Sequence, residues 1–350
     1  MHYTIFFSED KVFFFLFIDL ISQQCYDKHQ GCDEMKLWGD KRYYSLDYYI
    51  KETFGEKLYK ISLDGGMTCP NRDGTLDTRG CIFCSSGGSG DFASNRRFSI
   101  KEQLQQGKQL VSKKFNGSSY IAYFQAYTNT YASVSYLESI FMEAISDDEV
   151  KALSIATRPD CLSPEILDLL FRLNQKKPVW IELGLQTIHQ ETAKFIRRGY
   201  PLDVFEKAVY DLKKIGVSVI VHTILHLPKE TEDMMLETIS YLNRLPINGI
   251  KLQLLHILKE TDLALLYDQK PFHLPTMDEY FVLLGKLLSH LRPDIVIHRL
   301  TGDGPKSLLI APLWTSNKRL VLNAMQKYFK EADIWQGKEF SCQNHLHFIN

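Results

Sequence analysis

Residues 150–186 read VKALSIATRPDCLSPEILDLLFRLNQKKPVWIELGLQ. Both ends of this stretch, VKALSIAT (150–157) and VWIELGL (179–185), are short apolar runs with β-branched residues, the composition of buried strands. Between them SPEILDLLFRLNQ (163–175) repeats its apolar residues every three or four positions, the period of a helix that buries one face. Ser163 suits an N-cap, and Pro164 suits the first helical turn. Strand, helix and strand in so short a span imply a right-handed crossover between parallel neighbours.

The same alternation runs outward in both directions. LYKISLD (58–64), YIAYFQA (120–126), VSVIVHTIL (217–225) and GIKLQLLHI (249–257) read as further strands, and TEDMMLETISYLNRL (231–245) as another amphipathic helix. Six strands alternating with helices predict an α/β fold, a partial (βα)6 barrel, although an open doubly wound sheet fits the count nearly as well. No Pro/Ser-rich linker or low-complexity block interrupts the run. Residues 35–300 therefore read as one core domain and 301–350 as a C-terminal extension packed on it.

With 350 residues, 45% hydrophobic and 24% charged, the chain has the composition of a globular protein with a large core. Its formal net charge of −1 excludes the overall basic field of a general nucleic-acid binder and leaves only a local basic face open. The cysteine count, seven, is odd, and Cys25, Cys32, Cys161 and Cys342 follow no regular spacing, which argues against a disulfide framework and for a reducing cytoplasm. VFFFLFIDLIS (12–22) holds seven apolar residues before Asp19, too few to span a bilayer. It lacks the basic leader and small-residue cleavage site of a signal peptide, so no membrane partner is expected. Residues 1–34 read as an N-terminal extension, with Met35 as the functional start.

In either α/β architecture the active edge lies at the carboxyl ends of the strands. Polar residues gather there: Gln125, Thr128 and Asn129 after the second strand, Thr157, Arg158 and Asp160 after the third, Glu182 and Gln186 about the fourth. His222 and His226 fall in or beside the fifth, where a histidine needs a hydrogen-bonding partner or a cavity.

MTCPNRDGTLDTRGCIFC (67–84) follows the first strand. Cys81 and Cys84 are spaced to share one metal or cluster, and the turn-forming loop before them can bring Cys69 alongside. Structural zinc asks for a fourth ligand, and the nearest are His29 and Cys32 upstream or Cys161 downstream. A 4Fe–4S cube on three thiolates keeps one iron open to a small molecule. A thioredoxin-like dithiol leaves Cys69 idle. Cluster, zinc and dithiol are all readings of the motif by itself.

Taken together, the three cysteines, ATRPD (156–160), IELGLQT (181–187) and LHLPKET (225–231) resemble a radical S-adenosylmethionine (SAM) enzyme. The eleven-residue gap between Cys69 and Cys81 is longer than the superfamily's usual one and resembles the branch that includes the Elongator catalytic subunit. From Met35 to about residue 337, including HRLTGDGP and WQGK, the chain is similar to short bacterial members of that branch. No acetyltransferase domain is read after the barrel, so acetyl transfer is not expected.

The resemblance implies a 4Fe–4S cluster on Cys69, Cys81 and Cys84. It further implies SAM on the open iron, cleaved reductively to a 5′-deoxyadenosyl radical that takes hydrogen from substrate. Gln186 and Arg198 match positions that contact SAM in related enzymes, and an arginine fork suits a carboxylate. The alternative for Arg198 is a solvated pair with Arg197. QAYTNT replaces the Gly-Gly-Glu that often follows the second strand, so Gln125, Thr128 and Asn129 are the candidates for the SAM amino group. Arg158, Glu182 and His222 complete the candidate set, Glu182 also suiting a buried structural acceptor. LHLPKET reads as a turn opening the next helix.

The resemblance also implies a flavodoxin- or ferredoxin-type electron donor and, as substrate, a tRNA uridine near the wobble position. A small metabolite or protein is the alternative substrate, and a zinc-stabilised interaction module the alternative without catalysis. Cys342, His345 and His347 in the terminal CQNHLHF read as tail rather than metal site. KLLSHLRPDIVIHRLTGDGPKS (286–307) mixes basic residues with a glycine-rich turn whose amides can approach a phosphate, but it is read as an ordinary loop after a last strand.

Overall fold

All six expected strands form, and a seventh joins them. The structure is a computed structural model that describes residues 35–88, 90, 93–112, 117–302 and 304–341. The N-terminal extension and Cys342, His345 and His347 lie outside the described residues. The strands are β1 (Tyr59–Leu63), β2 (Tyr120–Phe124), β3 (Val150–Thr157), β4 (Val179–Gln186), β5 (Ser218–Leu225) and β6 (Gly249–Leu254). After them come β7 (Ile257–Leu258), β8 (Val296–Arg299) and β9 (Leu309–Ala311).

One parallel sheet runs in the order β1-β2-β3-β4-β5-β6-β8, and β1 and β8 are its edges, so the barrel is partial. β7 and β9 form a separate antiparallel pair. The seventh strand corrects the reading of 286–307 as a loop: Val296–Arg299 pairs with β6, and its Ile297 amide donates to the carbonyl of Tyr44 at 2.7 Å.

Alternation along each strand separates two environments. In β4, Ile181, Leu183 and Leu185 pack under the surrounding helices, while Glu182, Gly184 and Gln186 line a cavity inside the barrel. The helix Pro164–Asn174 forms as its pattern predicts, with the Ser163 hydroxyl accepting from the Ile166 amide. Among the described residues, no helix is long and apolar enough to cross a membrane.

The amino end of the barrel is plugged by the helix Leu46–Phe54. Its Ile50 packs on Leu58, Ile121, Ala152, Trp180 and Ile220, one from each of several neighbouring strands or their approaches. The cavity therefore opens at the carboxyl ends.

Gln336, from the WQGK motif, holds this plug from the far end of the sequence. It is 1% exposed, its Oε1 accepts from the Tyr44 amide at 2.9 Å, and its Nε2 donates to the carbonyls of Arg292 (2.9 Å) and Ile295 (2.8 Å). Alanine there leaves buried backbone groups unpaired, and Gln336→Ala is expected to lose roughly 3 kcal/mol. A urea midpoint that falls with an unchanged slope will show it, whereas an unchanged midpoint rejects the clamp.

Candidate active site

The loop after β1 carries Cys69, Cys81 and Cys84 to the wall of a cavity of about 270 Å³ at the carboxyl ends of the strands. Turns shape the loop: the Arg72 amide donates to Cys69 O at 2.8 Å, and the Cys84 amide to Cys81 O at 3.0 Å. Arg72 Nη2 ties its end, donating to the carbonyls of Cys84 (2.9 Å) and Ser85 (2.7 Å). Neither CIFC cysteine opens a helix, so the setting that a thioredoxin-like dithiol needs is absent here.

A second loop, after β4, closes against the first. Asn71 joins them: its Nδ2 lies 2.7 Å from Arg197 O, 3.3 Å from Arg198 O and 3.5 Å from Cys81 Sγ. Gly199, at φ +85°, has no alternative, because a Cβ there would lie 2.6 Å from Asn71 Oδ1. Burial and the neighbouring Cys84 push the Cys81 thiol up to about 12, so without a metal it keeps its proton.

Arg198 is 1% exposed, which removes the reading of Arg197–Arg198 as a solvated pair. Its Nε donates to Tyr200 O at 3.0 Å and its Nη1 to Leu185 O (3.1 Å) and Thr187 O (2.6 Å), while Nη2 is buried with no partner. Arg197 instead pairs with Asp262. Arg158 forms a fork with Asp160, at 2.9 and 2.6 Å, and stacks 4.8 Å from the Tyr200 ring centre.

Two more buried atoms on the cavity wall lack partners, Gln125 Nε2 and Gln186 Oε1. Gln186 also sits at φ +66°, a conformation unfavourable for any residue but glycine, and Tyr127 (+58°) and Arg197 (+57°) share it in the flanking loops. A Cβ on Gly184 would lie 3.1 Å from Gln186 Nε2 and 3.2 Å from Tyr200 OH, so a side chain here would press on both residues.

Deeper in the barrel lies a buried charge cluster. Glu182 Oε1 accepts from Lys60 Nζ (2.6 Å) and Ser154 Oγ (2.8 Å), and Oε2 from His222 Nε2 (2.8 Å) and Lys251 Nζ. Tyr123 OH accepts from Lys251 at 3.3 Å, and its ring lies 4.6 Å from the Lys60 ammonium. Burial pushes Glu182 up, but Lys251 and Lys60 pull it further the other way, well below the carboxylate range. Burial and Lys251 take His222 down to about 4, which leaves it neutral and donating to Glu182.

Seven of the eight candidate SAM residues thus line one cavity: Gln125, Thr128, Arg158, Glu182, Gln186, Arg198 and His222. Asn129 is not among its lining residues; it is fully buried and donates to Ala156 O at 2.9 Å. His226 lies in the LHLPKET turn at φ +61°, and that turn opens the helix Glu232–Asn243 on an N-cap threonine, Thr231, as read. Lys60 and Lys251 were missed, because a lysine in a strand gives a weaker signal than a buried carboxylate or imidazole. Of the basic runs that a local nucleic-acid-binding face would draw on, NQKKPV (174–179) and DLKKIG (211–216) precede β4 and β5, at the opposite end from the cavity.

The family model described as Radical SAM superfamily matches residues 78–242, and that of the Radical_SAM C-terminal domain matches 247–331. YtqA of Bacillus subtilis is 43% identical over 301 residues, 86% of this chain and 94% of its own length. This chain belongs to the radical SAM superfamily. YhcC of Escherichia coli K12 is 35% identical over 286 residues, 81% of this chain and 91% of its own. A tRNA uridine(34) acetyltransferase of Methanocaldococcus jannaschii is 32% identical over 83 residues, 24% of this chain and 15% of its own. The archaeal Elp3 of Methanocaldococcus infernus shares the fold, with a TM-score of 0.62 at 15% identity over 80% of this chain and 64% of that one.

As a radical SAM enzyme, the chain can be asked whether its own residues suit the superfamily's cofactors. Among the described residues no three His, Cys, Asp or Glu side chains converge on a single ion. A cube held at three separate corners asks for thiols set apart around it, on one cavity wall. An unpartnered guanidinium amino group, an amide N–H and an amide oxygen belong to residues that line the same cavity, donors and acceptor matched to a carboxylate and an ammonium. The residues fit both groups.

Proposed function

We propose that this radical SAM enzyme holds a 4Fe–4S cluster on Cys69, Cys81 and Cys84, binds SAM in the adjoining cavity and modifies tRNA at a wobble-position uridine. The observation that carries the reading is the convergence of three thiols and three unpartnered buried polar atoms on one cavity. Bound together, cluster and SAM supply a 5′-deoxyadenosyl radical that takes hydrogen from substrate.

The protein's own residues orient and enclose. Arg198 is fixed by three carbonyls with its Nη2 amino group left for the SAM carboxylate, Gln125 and Gln186 present polar atoms beside it, and Thr128 and Arg158 complete the wall. Glu182 and His222 form the far wall. The tRNA substrate is supported by the relative that bears tRNA uridine(34) in its name. A flavodoxin- or ferredoxin-type protein supplies the electron, and the reaction takes place in the cytoplasm.

Anaerobic reconstitution followed by assay for 5′-deoxyadenosine tests the chemistry. A comparison of modified nucleosides in tRNA from cells with and without the gene tests the substrate, and an unchanged profile would turn attention to a small metabolite or protein. Gln186→Ala removes one unpartnered acceptor and keeps the backbone strain, so SAM affinity is expected to fall about tenfold with little change in Tm. Equal affinities in equilibrium dialysis would remove Gln186 from the SAM site.

A further inference from the structure

The two loops that meet beside the cavity are joined at one side chain. Asn71 is 1% exposed, and its backbone carbonyl accepts from the Gly80 amide at 2.7 Å, which fastens the residue before Cys81 to the segment that follows Cys69. Its Nδ2 group reaches across to the loop after β4, where the carbonyls of Arg197 (2.7 Å) and Arg198 (3.3 Å) accept it. The remaining neighbour of that nitrogen is Cys81 Sγ, at 3.5 Å.

A primary amide carries two N–H bonds. The short contact to Arg197 O uses one, and the other is divided between Arg198 O and the sulfur. Arg198 O does not depend on it, since Arg158 Nη1 donates there at 3.1 Å. The second N–H therefore turns to the sulfur once the sulfur is the better acceptor.

The chemistry of Cys81 decides when that is. As a thiol it donates to Arg197 O at 3.5 Å. A metal ligand is a thiolate. With its proton gone, a negative sulfur faces a carbonyl oxygen, two acceptors with no hydrogen between them. Asn71 Nδ2 touches both, and among the described residues it is the one hydrogen-bond donor to this sulfur. An N–H aimed at a cluster thiolate stabilises the more negative, reduced cluster over the oxidised one, and so raises its potential.

We propose that Asn71 is a positioning residue for the cluster: its side-chain amide donates to the Cys81 thiolate and makes the cluster easier to reduce, while the same amide fixes the peptide that carries Arg198. This rests on the cluster being held by Cys69, Cys81 and Cys84. One-electron reduction precedes SAM cleavage, so the bond bears on whether a flavodoxin- or ferredoxin-type donor can deliver its electron.

Anaerobic potentiometric titration of the reconstituted full chain with dithionite, without SAM and followed by the electron paramagnetic resonance of the reduced cluster, tests it. In Asn71→Ala the equilibrium constant for one-electron reduction is expected to fall about tenfold, a potential about 59 mV lower. Iron content and SAM affinity should stay as in the wild type, because Arg198 keeps the three carbonyls that hold its side chain. Asp262→Asn is the matched control: it loosens the Arg197 side chain in the same loop, makes no contact with a cysteine sulfur and removes a negative charge, so its potential should not fall. A second measurement needs no variant. In wild-type protein whose asparagine side-chain amides carry heavy nitrogen, pulsed resonance of the reduced cluster should show a coupling to that nitrogen. Where Asn71→Ala does not keep its iron, this coupling alone decides. An unchanged potential in an iron-loaded Asn71→Ala protein, an equal fall in Asp262→Asn, or no nitrogen coupling in the wild type overturns the assignment. A wild type that takes up no iron overturns the cluster reading itself, and this assignment with it.

Discussion

Alanine at Cys69, Cys81 or Cys84 is expected to give a folded but colourless protein after anaerobic reconstitution with iron and sulfide. Iron should fall from about four per chain to near none, and 5′-deoxyadenosine formation to background. Two thiolates hold a cube too weakly to keep it, and the three loop cysteines share one cavity wall with no fourth protein ligand converging on them among the described residues. Cys161→Ala is the matched control. That thiol is free and lies after β3, outside the cavity lining. Its loss should cost neither iron nor activity. A Cys81→Ala protein with full iron and undiminished SAM cleavage would remove the loop from the cofactor site altogether.

The largest stability effect is expected at Glu182. Its carboxylate is fully buried and is the acceptor for Lys60, Ser154, His222 and Lys251. Glu182→Gln keeps the shape but leaves two ammonium groups facing each other in the barrel, and breaking one side of a buried ionic cluster costs about 3–5 kcal/mol. At this chain length that is a fall in Tm of roughly 4–7 °C. The folded carboxyl is held well below its unfolded value, so its contribution is complete above about pH 4.3 and is lost as pH falls through the folded value. Wild type and Glu182→Gln should therefore differ most near neutral pH and converge in acid. Scanning calorimetry across that range checks both the size and the sign; equal Tm values at neutral pH would mean that the cluster contributes nothing to stability.

The strands could be read because each is long enough to show its composition and is bounded by a helix of clear period. β8 could not. Val296–Arg299 is four residues long, contains His298 and Arg299, and follows Arg292–Pro293. It is a strand because β6 on one side and Tyr44–Ser45 on the other supply partners, which are tertiary facts. The cysteines were legible from spacing and resemblance together.

Glu182 and His222 stood out as polar residues in apolar strands, yet their partners Lys60 and Lys251 did not, because a long lysine stem is usually able to carry its charge out to water. For Arg198 the resemblance implied a SAM contact and the sequence left a solvated pair with Arg197 as the alternative, which the burial of its side chain against three carbonyls removes. What the sequence could not supply was the register that sets Lys251 of β6 against Arg299 of β8, since a one-residue shift between strands leaves no trace in composition.

The clamp at Gln336 has a consequence for how the chain comes into being. Tyr44 and Gln336 stand 292 positions apart, and the segment they join carries the helix that plugs the barrel. During synthesis every strand of the sheet leaves the ribosome before the residue that fastens the plug. The barrel's amino end lacks this clamp until Gln336 has been added, and its closure is a long-range event that no local segment can rehearse.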